Sequence, residues 1–246
     1  MEIVGALAAG AFIGAVLGFV GAGGAMLSVP LLMYGFGFEP KAATTAALAV
    51  VFLAALSGAL PKARKGQILY RDALVIVALG LVTNLGFASI AERLPDALIT
   101  TGFAIVLLFA ALSMVRSPTY AEQSRMSLPV LVLISLSIGS ITGLFGIGGG
   151  FLAIPVLVLF FGTPQAVAAG TSLVIIASNS LISFLGHHAL WESVDWHVPI
   201  FMAAAAVVIA QLASHYSGKT SPLVLRRSFA CLLLAISLFT VAETWL

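Results

Sequence analysis

The chain has 246 residues, of which 61% are hydrophobic and only 8% charged, with a formal net charge of +2; an average soluble domain carries roughly a quarter charged residues. Eleven basic and nine acidic side chains cannot cover a water-facing surface of this size, as the mean hydropathy of +1.16 also says. A soluble globule is excluded, no basic stripe exists to bind nucleic acid, and the composition predicts an integral membrane protein whose first partner is the lipid bilayer.

At the start, Met1-Glu2 lacks the basic region of a secretory signal, so the apolar run behind it is expected to stay in the mature protein. The charges then fall into short clusters separated by uncharged stretches: 3–38, 42–61, 73–91, 97–115, 126–191, 196–218 and 228–242. A membrane-spanning helix needs about 20 such residues. Four of the stretches fit one crossing each (42–61, 73–91, 97–115 and 196–218), and 126–191 is long enough for about three segments. Strand alternation is absent, so the backbone must satisfy itself within helices.

Glycines interrupt the two longest stretches. Gly18, Gly21, Gly23 and Gly24 break the first, and Gly143, Gly146, Gly148, Gly149 and Gly150 break the second. Each break is followed by a short piece, about Ala25 to Gly37 and Phe151 to Gly162. These are too brief to cross about 30 Å of hydrocarbon as straight helices and read as half-helices or re-entrant arms.

The breaks also reveal an internal repeat. At an offset of 125 residues Gly18, Gly21, Gly23, Gly24 and Pro30 fall on Gly143, Gly146, Gly148, Gly149 and Pro155. After a one-residue insertion Thr45 falls on Thr171, Ser57 on Ser183 and Tyr70 on Trp196. The expected organisation is a first membrane repeat over 1–115, a polar cytoplasmic linker over 116–127 and a second repeat over 128–246. Equivalent loops carry opposite charge: Lys62, Arg64, Lys65 and Arg71 in one half, Glu192 and Asp195 in the other. By the positive-inside rule the repeats are therefore inverted, with an odd number of crossings in each and both termini outside. The predicted fold is an all-α polytopic membrane protein of two inverted-topology repeats, each a glycine-broken or re-entrant helix pair plus three long transmembrane helices.

Inverted repeats with interrupted helices are a recurring architecture of secondary transporters, with substrate near the midplane. Glycine lets a ligand approach backbone N–H groups, and the N-terminal ends of half-helices favour anions. Gly21, Gly23, Gly24, Gly146, Gly148, Gly149 and Gly150 are thus expected to shape a midplane anion site between the two breaks. Thr45, Thr171, Ser172 and Asn179 are the expected side-chain donors. No Lys or Arg falls within a predicted span, so the anion should be held by neutral donors and dipoles. No carboxylate lies in a span either, which leaves cation coupling without an obvious residue. Cys231 is single and in an apolar run, the four histidines match no metal motif, and no cofactor or metal is expected. Ser57-Gly58 lacks the Gly-x-Ser-Gly context of an intramembrane protease because Ala55 interrupts it, and the glycine clusters lack the strand and Gly-Lys-Ser/Thr ending of a nucleotide loop.

The doubled Gly-x-x-Gly-x-Gly-Gly followed by Pro, the segment Ala168 to Leu173 (Ala-Ala-Gly-Thr-Ser-Leu) and the later Val194-Asp195-Trp196 resemble the sulfite exporter TauE/SafE family of membrane anion permeases. The similarity covers nearly the whole chain. In the first half the pattern departs: Ala25 replaces the third glycine, Thr44-Thr45-Ala46 stands for Gly-Thr-Ser, and Leu69 replaces the Asp. The resemblance implies a multi-pass plasma (inner) membrane protein that moves sulfite, an organosulfonate or a related small inorganic or organic anion, often outward. It implies no enzyme activity. A membrane-embedded scaffold or accessory subunit without transport is the alternative, and the small-residue faces also permit a homodimer.

Overall fold

The computed structural model describes residues 2–91, 94–116, 128–145, 150–217 and 220–245. Among these the chain is helical, with no strand. The first half contributes α1 (Glu2–Val20), a short α2 (Gly24–Pro30), α3 (Pro40–Arg64), α4 (Tyr70–Ala91) and α5 (Asp96–Arg116). The second contributes α6 (Leu128–Phe145), a short α7 (Gly150–Phe161), α8 (Gln165–Gly186), α9 (His197–Ser217) and α10 (Pro222–Trp245). By length and composition α1, α3, α8 and α9 are each apolar enough to cross a membrane.

The short helices arise as the glycines and prolines predict. Gly21 and Gly23 take φ values of 83° and 90°, a left-handed backbone that ends α1 and lets the chain reverse into α2. Past Pro30 the helix widens into a π-helical turn over Leu31–Gly35 and stops before Gly37, whose φ is 71°. The whole arm from Gly24 to Gly35 is about 18 Å long at 1.5 Å per residue. In the second half α7 has the same 12-residue length, with Pro155 inside it. The expected short arms are therefore present in both halves, beginning at Gly24 and Gly150.

Small residues set the packing. A Cβ on Gly14 would meet the Ala206 carbonyl oxygen at 2.5 Å, while Gly10 lies on Met202 and Gly18 on Ala210. The rising order on both helices makes α1 and α9 parallel, with backbones in contact. In the other pairing Gly139 of α6 sits on Gly80 of α4, and Thr83 donates a hydrogen bond to the Leu136 carbonyl. Across the middle α3 runs antiparallel to α8. Thr45 near its start meets His187 just past the end of α8, Gly58 faces Leu173, and Lys62 near its end faces Gly170. The core around Val50, Ala54, Leu173 and Ala206 joins α1, α3, α8 and α9. A second core around Leu107, Leu131, Leu157 and Leu233 joins the remaining helices to α8.

Candidate anion site

The first glycine break opens against the second half. A Cβ on Gly21 would stand 2.6 Å from the Cβ of Ala169, so the break touches the opening turns of α8. One residue on, Gly170 takes the backbone carbonyl of Gln67 and the stem of Lys62. Next in line, the buried Thr171 hydroxyl donates to the Val167 carbonyl at 2.8 Å and accepts the N–H of Leu69 at 3.0 Å. Ser172 is fully buried beside it. Gly23 and Gly24 pack on Leu232 and Leu17 respectively. Gly21 is thus brought against the start of α8, and the Ala-Ala-Gly-Thr-Ser segment is the surface on which two loops of the first half rest.

Two other predicted residues lie elsewhere. Thr45 is buried at the opposite end of α3, donating to the Lys41 carbonyl at 2.9 Å and 3.0 Å from His187 Nδ1. Asn179 is half-buried two turns beyond Thr171 on α8. Gly150 opens α7, whereas Gly146, Gly148 and Gly149 lie outside the described residues.

The first break lies toward one end of the helix bundle. Gly18 lies against Ala210, Ala213 and Ser214, near the C-terminal end of α9. Gly21 therefore lies about a turn from the helix ends that carry Lys62, Arg64 and Lys65, not at mid-bundle. The physical reason is the parallel register of α1 on α9, which carries the break to the end of its partner.

The expectation of uncharged spans is corrected. The uncharged stretch 42–61 places Lys62 outside the span, but α3 continues to Arg64 and Lys62 is 1% exposed. Its ammonium donates to Ser217 Oγ at 2.7 Å. Ser217 in turn donates to Ser214 O at 2.8 Å, and Ser214 to Gly58 O at 2.6 Å. No ion pair is formed among the described residues, so Lys62 is a buried positive charge held by the Ser217 hydroxyl at the converging ends of α3 and α9. The sequence signal was present: Pro61-Lys62 directly abuts the apolar run, and proline one position before a lysine did not end the helix. A cavity of about 510 Å³ opens beside it, lined among others by Arg64, Lys65 and His215. At the Thr45 end a cavity of about 460 Å³ is lined instead by Glu39, Lys41, Ser193 and Asp195. No cluster of metal-ligating side chains exists among the described residues.

A family model described as sulfite exporter TauE/SafE matches residues 6–240, almost the entire chain. The chain belongs to this family. It is 26% identical over 248 residues to a probable membrane transporter protein of Xylella fastidiosa strain 9a5c, covering 97% of this chain and 95% of that one. A probable membrane transporter protein of Methanocaldococcus jannaschii is 38% identical over 96 residues, 37% of this chain and 34% of that one. A Bacillus subtilis protein of the same description is 25% identical over 218 residues, covering 74% and 78%. The TauE/SafE family is one of membrane transporters rather than enzymes, and its member here is a multi-pass helical protein of the plasma membrane.

Proposed function

We propose that this TauE/SafE member exports a small oxyanion, such as sulfite or an organosulfonate, from the cytoplasm, using two inverted repeats over 1–115 and 128–246 joined by the linker 116–127. The convergence of Gly21, the first turns of α8 and the buried Lys62 at the basic end carries this reading. A buried positive charge bonded to the Ser217 hydroxyl, its stem against the opening turns of α8, suits an anion and repels a cation. The repeat reading draws support from packing that is reciprocal under the sequence offset. Gly14 on Ala206 corresponds to Gly139 on Gly80, at offsets of 125 and 126, and α3 runs against its own counterpart α8.

On this reading Gly21, Gly23 and Gly24, with Thr171 and Ser172, form the cytoplasmic half of the path. Gly146, Gly148, Gly149, Gly150 and Thr45 form the outer half, and Asn179 lies between them on α8. The first residues an outgoing anion meets are then Arg64 and Lys65, whose positive charge raises its local concentration.

Thermal unfolding of the purified protein against sulfite, sulfate, thiosulfate, sulfoacetate and chloride tests the reading. A ligand at about 100 times its dissociation constant adds roughly 2.7 kcal/mol to the folded state, which appears as a raised Tm. A rise with a sulfur oxyanion and none with chloride is expected; no rise with any member of the panel would reject an anionic substrate of this class.

A further inference from the structure

The cavity at the basic end continues into a groove on the outside of the bundle. Helices α3 and α9 run side by side there, tied by Ser57 Oγ to the Val207 carbonyl at 2.8 Å and by Ser214 Oγ to the Gly58 carbonyl at 2.6 Å. Where the pair ends, the cavity of about 510 Å³ is lined by Arg64 and Lys65 on one side and by Gln211, Leu212 and His215 on the other. Lys65 reaches across to the His215 carbonyl at 3.3 Å, and neither it nor Arg64 forms an ion pair among the described residues. Beyond these cations the groove is apolar. Leu60 is one turn before Arg64 on α3 and Leu53 two turns before that, while Val208 is one turn before Leu212 on α9, and all are exposed. From Arg64 to Leu53 is about 16 Å along the helix at 1.5 Å per residue, or half of a hydrocarbon core of about 30 Å. A positive head above an apolar trough one leaflet deep is the outline of an anionic phospholipid.

We propose that this cavity and groove bind an anionic phospholipid of the cytoplasmic leaflet, its phosphodiester held by Arg64 and Lys65 and its acyl chains lying along Leu60, Leu53, Leu212 and Val208. Arg64 presents a planar fork of donors that fits a phosphate bidentately, and Lys65 spends one of its three donors on the His215 carbonyl and keeps two. Tyr216, exposed beside His215 with ring centroids 5.6 Å apart, stands where aromatic side chains meet headgroups. The cluster Lys62, Arg64, Lys65 and Arg71 marks this end as cytoplasmic by the positive-inside rule, and basic pockets between helices on that side suit anionic headgroups. The cavity at the Thr45 end lacks the pattern, because Glu39 and Asp195 oppose its Lys41. The apolar trough selects a lipid over free phosphate, since only the lipid has chains to lay in it. The lipid site stands whichever ion is transported, because its cations lie outside the bond from Lys62 to Ser217. One phosphodiester charge against two cations still leaves a positive mouth for an outgoing anion.

Native mass spectrometry of the purified protein tests the site, with dioleoylphosphatidylglycerol or dioleoylphosphatidylcholine titrated into the detergent. The two lipids share acyl chains and differ in net charge. Phosphatidylglycerol should bind roughly tenfold more tightly, or better, and Arg64→Gln with Lys65→Gln should remove that preference. Lys41→Gln, at the opposite end, should keep it. Arg64→Gln alone breaks no hydrogen bond among the described residues, so a reduced preference in that variant at an unchanged Tm separates lost recognition from misfolding. Equal binding of the two lipids, a preference that survives removal of both cations, or its loss in Lys41→Gln would each overturn the site. Glycerol 3-phosphate carries the phosphate without chains and should not displace the lipid at equal concentration; displacement would make this a free-phosphate site and overturn the lipid. The leaflet is read separately. Lys65→Cys in a Cys231→Ser background should react with a membrane-impermeant maleimide in inside-out vesicles alone, and reaction in right-side-out vesicles would overturn the cytoplasmic assignment.

Discussion

At Gly21 two separate constraints act on one residue. Its φ of 83° is left-handed, and an added Cβ would stand 2.6 Å from the Ala169 Cβ and 2.7 Å from its Cα. The backbone alone disfavours an L-residue by roughly 1–2 kcal/mol, and overpacking adds about 1–3 kcal/mol. Gly21→Ala is therefore expected to lower Tm by several degrees in detergent, more than Gly23→Ala, whose Cβ would come no nearer than 3.1 Å to the Leu232 side chain. Lys62 poses the opposite case. Its partner Ser217 keeps a bond to Ser214 when the ammonium is removed, so Lys62→Met leaves no stranded counter-charge. Thermal unfolding of Lys62→Met should show an unchanged or raised Tm without ligand, and loss of the roughly 2.7 kcal/mol that a saturating oxyanion adds to the parent. A retained anion response would remove Lys62 from the site.

Between elements, close backbone approach decides which helices pair. The apolar drive that sorts helices in water is weak between helices in lipid, so small residues every fourth position become the recognition surface. Gly10, Gly14 and Gly18 make that surface on α1, and Met202, Ala206 and Ala210 receive it on α9. The spacing was legible in the sequence, but the partner was not, because alanine and glycine abound on many helices here and none carries a label. Gly14→Val should cost about 3 kcal/mol or more, since its branches meet the Ala206 backbone rather than a movable side chain. Gly86→Ala supplies the contrast: Gly86 is helical with nothing within 4 Å of its Cβ position, so alanine should be neutral or stabilise by up to about 1 kcal/mol. Melting curves of the two variants, measured side by side, separate packing glycines from merely tolerated ones.

In the whole molecule, what the sequence could say ended where long-range register began. Charge clusters and glycine breaks placed the helices to within a few residues, and the repeat offset paired Thr45 with Thr171. Neither feature told that these threonines sit at opposite ends of α3 and α8, or that Gly21 lies near the basic helix ends, because both depend on how α1 slides along α9. The sequence assigns Lys62 to a basic loop rather than to the buried helix end for a related reason: a span judged by its uncharged residues stops at the first lysine, whereas a helix buried at its end does not. The same register has a consequence for assembly. Helix α1 of the first half packs on α9 of the second, α6 of the second packs on α4 of the first, and α3 of the first lies on α8 of the second. Each half therefore leaves its closest backbone contacts in the other, and neither buries its small-residue faces alone. Cutting the gene within the polar linker 116–127 and expressing both pieces together should give fragments that co-purify and share the parent's melting transition. Either piece expressed by itself should be degraded or aggregate in detergent. If the isolated first half instead purified as a monodisperse, cooperatively melting species, the interlocked pairing of α1 with α9 and α6 with α4 would have to be abandoned.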